Sequence, residues 1–206
     1  MKRFIGFIML SFIISQSISA QSLVTAELQK NSSLTIVGST NLLSFKLSQS
    51  GEKLSRKRLT IATTQSQNNL FLSQNQLSVV VKNFTSNNVI ALNEFLKLIK
   101  SDAYPTLKFQ INYLDTTPIS EKGISYNGTA LVSITITGIT KQYSFPISFN
   151  SNGDLYAVNG KKKMSIRDFG LTPKSKMMGL VKVSEWIDVD FNMIYKISTN
   201  GNIAKL

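Results

Sequence analysis

The sequence has no cysteine and no histidine. Exported proteins are free to use disulfides, but this chain must be held by its core alone. Without histidine there is no imidazole general base. With both residues missing, thiol nucleophiles and the usual zinc, copper and haem ligands are gone as well. Acidic residues are scarce, 11 Asp and Glu against 23 Lys and Arg, and the net charge is +12. Serine, lysine or carboxylate chemistry is all that would be left to an enzyme, and no nucleophile motif accompanies it. Asp188 and Asp190 alternate with Ile187, Val189 and Phe191, which places them on a solvated face rather than in an acid/base pair. The chain therefore reads as a non-enzyme with no catalytic residues, no cofactor and no metal site.

The chain also lacks an apolar run long enough to cross a bilayer. The nearest approach is Phe4 to Ile14, preceded by Lys2 and Arg3 and followed by a small-residue region ending at Ala20. This is the pattern of a secretory signal peptide over residues 1–20, with cleavage expected between Ala20 and Gln21. An uncleaved anchor is the rival reading. No cysteine follows the run, which excludes a bacterial lipoprotein anchor. Residues 21–206 suit one domain with a sizeable core, and they contain no repeat and no low-complexity linker. The expected location is periplasmic or secreted.

What is present is a period of two. From Tyr126 to Phe149 the sequence reads YNGTALVSITITGITKQYSFPISF, two long strands joined by a turn at Gly138–Thr140. Tyr126, Gly128, Ala130, Val132, Ile134 and Ile136 share one face, and Tyr143, Phe145, Ile147 and Phe149 share the matching one. Such alternation marks an antiparallel sheet with one buried face. Gly128 and Ala130 beside large residues suit a sheet that curls into a barrel with room inside.

Elsewhere, Leu34–Val37 and Leu43–Leu47 read as strands around a turn-rich GSTN. Residues 21–32 read as polar and frayed, and 59–72 carry weak strand signals broken by TTQSQNN. Leu77, Val79 and Val81 form an inward row. Leu92, Phe95, Leu96 and Ile99 fall on one face of a helix over about 88–100, capped by Asn87 or Asn88 and stopped before Pro105. Leu107, Phe109, Ile111 and Tyr113 return to strand. Further strands run over Leu155–Ile166 and Trp186–Ile197. Seven to nine antiparallel strands and one helix argue for an all-β fold, a closed barrel of about eight strands with one helical insertion. A β-sandwich is the alternative.

Four segments carry a family resemblance. They are LTIVGSTNLLSFKL (34–47), the run from Phe84 through DAYPTLKF to Phe109, GTALVSITITGITKQY (128–143) and IRDFGLTPKSKMMGLVKVSEWIDVDF (166–191). In this order and spacing they resemble the YceI-like family of exported bacterial proteins. The Trp and the HS pair that open better-known members are missing. The resemblance implies a lipocalin-like antiparallel β-barrel around an apolar channel, with a polyisoprenoid or quinone-like lipid as ligand. The alternative is a structural or partner-binding barrel whose core is filled and binds nothing.

Combining the inward rows with the resemblance gives an expected ligand-binding set. It comprises Val79, Val81, Phe95, Phe109, Ile111, Ala130, Val132, Ile134, Phe145, Ile147, Phe169, Val189, Phe191 and Met193. The 88–100 helix is expected to pack on the barrel as a lid, and Phe169 to plug a barrel end beside a turn at Gly170. Arg167-Asp168-Phe169-Gly170 shares three letters with the kinase metal-binding triplet, but no glycine-rich loop or catalytic-loop motif accompanies it. The basic clusters at 53–58 and 161–163 read as solvated surface or as attraction to anionic lipid headgroups. No aromatic–basic stacking motif points to nucleic acid. Peripheral contact with an anionic membrane surface and a homodimer stay open as partners.

Overall fold

Strand alternation builds the wall of this molecule, and long strands decide how it closes. The structure is a computed structural model that describes residues 21–54, 58–66, 69–118, 125–173, 175–176 and 180–199. The expected signal peptide, residues 1–20, lies outside the described residues, as do parts of the basic cluster at 53–58. In chain order the strands are β1 (Gln21–Leu28), β2 (Ser33–Ser39), β3 (Ser44–Ser50), β4 (Leu59–Ser66), β5 (Asn69–Ser73) and β6 (Leu77–Val80). Helix α1 (Val89–Leu98) follows. Then come β7 (Thr106–Pro118), β8 (Ser125–Ile136), β9 (Ile139–Asn152), β10 (Leu155–Ser165), β11 (Ser175–Lys176), β12 (Val181–Lys182) and β13 (Trp186–Thr199).

Eight strands form a closed antiparallel ring in the order β1-β4-β5-β7-β8-β9-β10-β13, with β13 returning to β1. The all-β barrel with one helical insertion is thus the architecture, and the sandwich is not. Closure leaves the ring without free edges. Two of the strands are long enough to serve two neighbours along one edge. β13 pairs with β1 through Tyr195–Thr199 and with β2 through Asp188–Asn192. β7 pairs with β5 through Tyr113–Asp115 and with β6 through Thr106–Phe109. One end of the wall is therefore sewn shut by β1, β4 and β5. At the other end the wall runs from β3 through β2 and β13 round to β6.

At that second end, β3 and β6 are joined through the segment after β6 rather than by a ladder. Ser48 and Thr85 exchange both backbone hydrogen bonds at 2.9 Å. The Thr85 hydroxyl donates to the Ser48 carbonyl at 3.1 Å and the Ser86 hydroxyl to the Lys46 carbonyl at 2.7 Å. Side chains thus occupy acceptors that a neighbouring strand would otherwise take. α1 begins directly afterwards. Asn88 is its N-cap, accepting from the Ala91 amide at 2.9 Å. Its C-terminus closes with Lys100 at φ 50 and paired bonds from Lys100 N to Lys97 O and Ser101 N to Leu96 O. These are the two bonds of a Schellman stop.

The core face follows the alternation. Ala130, Val132, Ile134 and Ile136 on β8 are buried, as are Phe145 and Ile147 on β9. The β8–β9 turn sits at Thr137–Gly138, one residue earlier than the sequence suggests. Both residues have positive φ, 49° and 82°, as a two-residue type I′ hairpin requires. Two more differences have physical causes. Residues 21–28 form β1 rather than a frayed segment, because Ala26 and Leu28 are buried and both edges of the strand are paired, with β4 and with β13. On β7 a bulge between Ile111 and Tyr113 slips the register by one residue. Leu114, not Tyr113, then faces the core, and Tyr113 turns to meet the exposed Phe71. A bulge flips every later side chain of its strand, and no periodicity argument contains it.

Two cross-strand pairs set a glycine against a phenylalanine: Gly38 with Phe45, and Gly160 with Phe191. A Cβ at either glycine would collide with the facing ring. The ring takes the space that the missing side chain leaves. Phe191 then reaches Phe145, with ring centroids 5.6 Å apart, and the two rings pack against each other.

Candidate functional site

The cavity of interest lies at the helix end of the barrel and has a volume of about 470 Å³. Ile36, Phe45 and Leu47 supply it from β2 and β3, and Leu42 and Leu43 from the turn between them. Ile90, Ala91, Phe95 and Leu98 supply it from α1, with Ile99 just beyond. Leu107, Ile136, Ile166, Leu171, Val181, Val183 and Ile187 complete the wall. The cavity thus sits where β3 and β6 stop pairing, and α1 stands in for the missing stretch of sheet. Its volume falls within the roughly 300–1,000 Å³ usual for small-molecule sites.

The polar groups in this wall are engaged locally. The Asn88 side chain caps α1. The Thr40 hydroxyl accepts from the amides of Leu42 and Leu43 at 3.2 and 3.1 Å, holding the turn that carries both leucines. The Ser184 hydroxyl accepts from the Trp186 amide at 3.0 Å. Glu94 and Lys97 pair with each other at 3.7 Å, one helical turn apart. A ligand meets hydrocarbon, and the nearest charges already compensate one another. Such a site selects by shape and apolarity and offers little to a polar molecule.

The turn at Ile166–Phe169 lies beside the cavity. The Ser165 hydroxyl accepts from the Arg167 amide at 3.2 Å, and Gly170 takes the left-handed conformation at φ 69. Phe169 is buried, and the Thr137 hydroxyl donates to its carbonyl at 3.3 Å. Arg167 pairs with Glu185. Asp168 accepts from the Tyr143 hydroxyl at 2.6 Å. Burial first, and then this bond to Asp168, raises the Tyr143 phenol above its ordinary value. The segment is a structural corner: its charged residues hold neighbouring strands, and Ile166 and Leu171 on either side of it face the cavity.

The residues singled out from sequence fall into one group. Val79, Val81, Ala130, Val132, Ile134, Phe145, Ile147, Phe169, Val189 and Met193 are all buried members of a single apolar cluster. Phe95, Phe109, Ile111 and Phe191 are half-buried and pack against it. Of the whole set, Phe95 alone also lines the cavity. Leu92, Leu96 and Leu98 are likewise half-buried against the cluster, and Ile99 is buried, so the expected apolar face of α1 does rest on the barrel. Leu42, Leu43, Ile90 and Ala91 line the cavity but fall outside the inward rows of the sequence. A signal was present: paired large apolar residues at Leu42–Leu43 and Val89–Ile90 sit in a turn and a helix start, where solvent-facing residues are expected to be polar.

An antiparallel eight-stranded barrel with an apolar cavity at one end defines a lipocalin-like fold. The YceI-like domain model matches residues 19–195, and the chain belongs to the YceI-like family. Among solved structures, the polyisoprenoid binding domain from Saccharophagus degradans superposes with a TM-score of 0.56 at 12% identity, covering 84% of this chain and 98% of that one. BcnA of Burkholderia cenocepacia superposes with a TM-score of 0.53 at 16% identity, covering 79% and 95%. At these identities the likeness is one of fold. No curated protein matches the chain in sequence.

Proposed function

We propose that this protein binds a long apolar lipid, a polyisoprenoid or quinone-like chain, in the cavity at the helix end of the barrel, and stores, carries or protects it. The observation that carries the reading is the cavity itself, about 470 Å³, walled by aliphatic and aromatic side chains, with its few polar groups already engaged. Family membership supports it, as does the fold shared with a domain named for polyisoprenoid binding. Burying ten methylene-equivalents is worth about 8 kcal/mol. Association costs of about 4–15 kcal/mol offset much of this, so affinity without a polar anchor requires burial of a longer stretch of the chain. The protein acts as a binder rather than an enzyme, in the periplasm or outside the cell, after cleavage at Ala20–Gln21.

The test is native mass spectrometry with lipid extraction on protein exported by its own host. The expected result is a chain starting at Gln21 that carries an apolar mass. Ala91→Trp should fill the cavity from the helix side and remove that mass while the strand content by circular dichroism is unchanged. A chain that carries no lipid, or whose lipid survives Ala91→Trp, counts against the reading. The packed ring pair Phe145–Phe191 favours a second reading, a ligand-free barrel that binds a partner; a consistently empty protein would support it.

A further inference from the structure

The mouth of the cavity is apolar on its outside as well. Leu42 is 70% exposed, Ile90 76% and Leu180 72%, and Leu43 and Val89 are exposed beside them. They come from three separate segments: the β2–β3 turn, the first turn of α1, and the approach to β12. Two of these are fastened together. Asn41 Nδ2 donates to the Leu180 carbonyl at 3.0 Å, and the Lys182 amide donates to Asn41 Oδ1 at 2.8 Å. Thr40 and Val183 form a β-bridge. The third, α1, is held by its Asn88 cap, and Asn88 follows Ser86, which is bonded to β3. The aliphatic crown is thus presented from braced backbone.

Two basic side chains flank this crown. Lys46 on β3 and Lys182 on β12 are exposed and hold no ion pair among the described residues. Of the acids at this end, Glu94 pairs with Lys97 and Glu185 with Arg167, Asp168 accepts from Tyr143, and Asp188 stands opposite Lys163 on the β10–β13 ladder. The single tryptophan of the chain, Trp186, is 49% exposed, between Ser184 and Ile187 of the cavity wall. Aliphatic side chains in the middle, lysines around them and a half-exposed indole at the side match the layers of a bilayer surface: acyl chains, anionic headgroups and the interface between.

We infer that the helix end of the barrel docks on an anionic membrane surface, with the Leu42–Ile90–Leu180 crown entering the headgroup layer and Lys46 and Lys182 meeting lipid phosphates. The cavity then opens towards the acyl region, and an apolar chain passes between bilayer and barrel without crossing water. The purpose of the docking rests on the lipid-carrying reading; the docking itself does not need a cargo to be measured.

The experiment is flotation of the mature protein with phosphatidylcholine vesicles and with vesicles that also contain phosphatidylglycerol, read together with Trp186 emission. Binding is expected to the anionic vesicles, with emission shifted to shorter wavelength and binding falling as salt rises. Val89→Ser/Leu180→Ser leaves the cavity wall untouched and should lower the partition coefficient about tenfold or more. Lys46→Glu/Lys182→Glu should abolish the preference for anionic vesicles. Leu155→Ser, at the β9–β10 turn, should change nothing. No vesicle binding, or binding indifferent to the crown and lysine variants, overturns the inference. So does a mature protein that sediments as a dimer and becomes a monomer in Val89→Ser/Leu180→Ser, since the crown then belongs to a second copy. Lipid extracted from the same preparations separates the two readings: cargo without docking refutes only the membrane contact, and docking without cargo refutes only the storage role.

Discussion

Phe95→Ala tests whether α1 is part of the barrel wall or an appendage. The ring touches the cavity on one side and Phe84 on the other, edge-on at 5.5 Å between centroids and 75° between planes. Phe84 is itself buried. A fully buried Phe→Ala change costs about 3–5 kcal/mol, but Phe95 is half-buried, so roughly half of that applies. Loss of the aromatic pair adds about 0.5–1.5 kcal/mol. The expected destabilisation is about 2–4 kcal/mol. In a chain of this size, each kcal/mol lowers the melting temperature by about 2–4 °C. Urea unfolding followed by the fluorescence of Trp186 gives the free energy, because that residue is the chain's single tryptophan. A double-mutant cycle with Phe84→Ala should return a coupling near the value of the ring pair, about 0.5–1.5 kcal/mol. A loss under about 0.5 kcal/mol, the range of ordinary surface substitutions, with zero coupling to Phe84 would refute the reasoning. The helix would then be decoration, and the cavity would have no fourth wall.

Two other perturbations probe the interior. Ala130→Trp should cost about 1–3 kcal/mol by overpacking, because Ala130 is buried and faces Phe145 across the β8–β9 ladder; if cargo reaches this depth, lipid co-purification is lost too. Ser133→Trp, on the outer face where Ser133 accepts from Asn112 at 2.8 Å, should leave the lipid in place, and equal behaviour of the two variants would sink the face assignment. Burial pushes the Tyr195 phenol up from 10.0 to about 12, so the fold prefers it neutral. Stability is complete below about pH 10 and falls as pH rises towards about 12, by of order 1–2 kcal/mol for a ring that keeps a partly exposed edge. Tyr195→Phe should flatten that alkaline limb in denaturation measured from pH 9 to 12, and an unchanged limb would assign the loss to other groups.

The strands that form the barrel's long side were legible because their two faces differ chemically. Val132, Ile134 and Ile136 against Ser133, Thr135 and Thr137 need no structure to be read. Helix α1 was legible for the same reason at a different period, and Asn88 and Pro105 bounded it. What could not be read is what depends on pairing at long range. β1 is a strand because β4 and β13 flank it, although half of its own residues are polar. Tyr113 lost its inward place to Leu114 through a bulge that no local pattern announces. The site was half legible. The apolar rows do assemble into one cluster, but the open volume is at the end of it. Alternation reports which side chains face in; it does not report whether they meet. Phe191 over Gly160, against Phe145, is a case in which they do.

The position of the cavity follows from the length of the strands. A closed ring satisfies every backbone donor and acceptor through its neighbours, so a gap in it carries a penalty for each orphaned group. β13 and β7 extend beyond the ring, and each meets a second partner there, β2 and β6. Completing the wall at that end by sheet alone would require β3 and β6 to form a ladder. Instead, Ser48 and Thr85 make one bridge, and Thr85 and Ser86 hydroxyls take carbonyls on β3. α1 then fills the space with an element whose backbone bonds are internal, from the Asn88 cap to the stop at Lys100. Only side chains need fit between helix and sheet. A ladder would hold neighbouring strands about 5 Å apart, whereas a helix packs at about 8–10 Å from its neighbours. The apolar cavity lies in the space that side chains of α1 and of the facing strands share, where no ladder closes the wall.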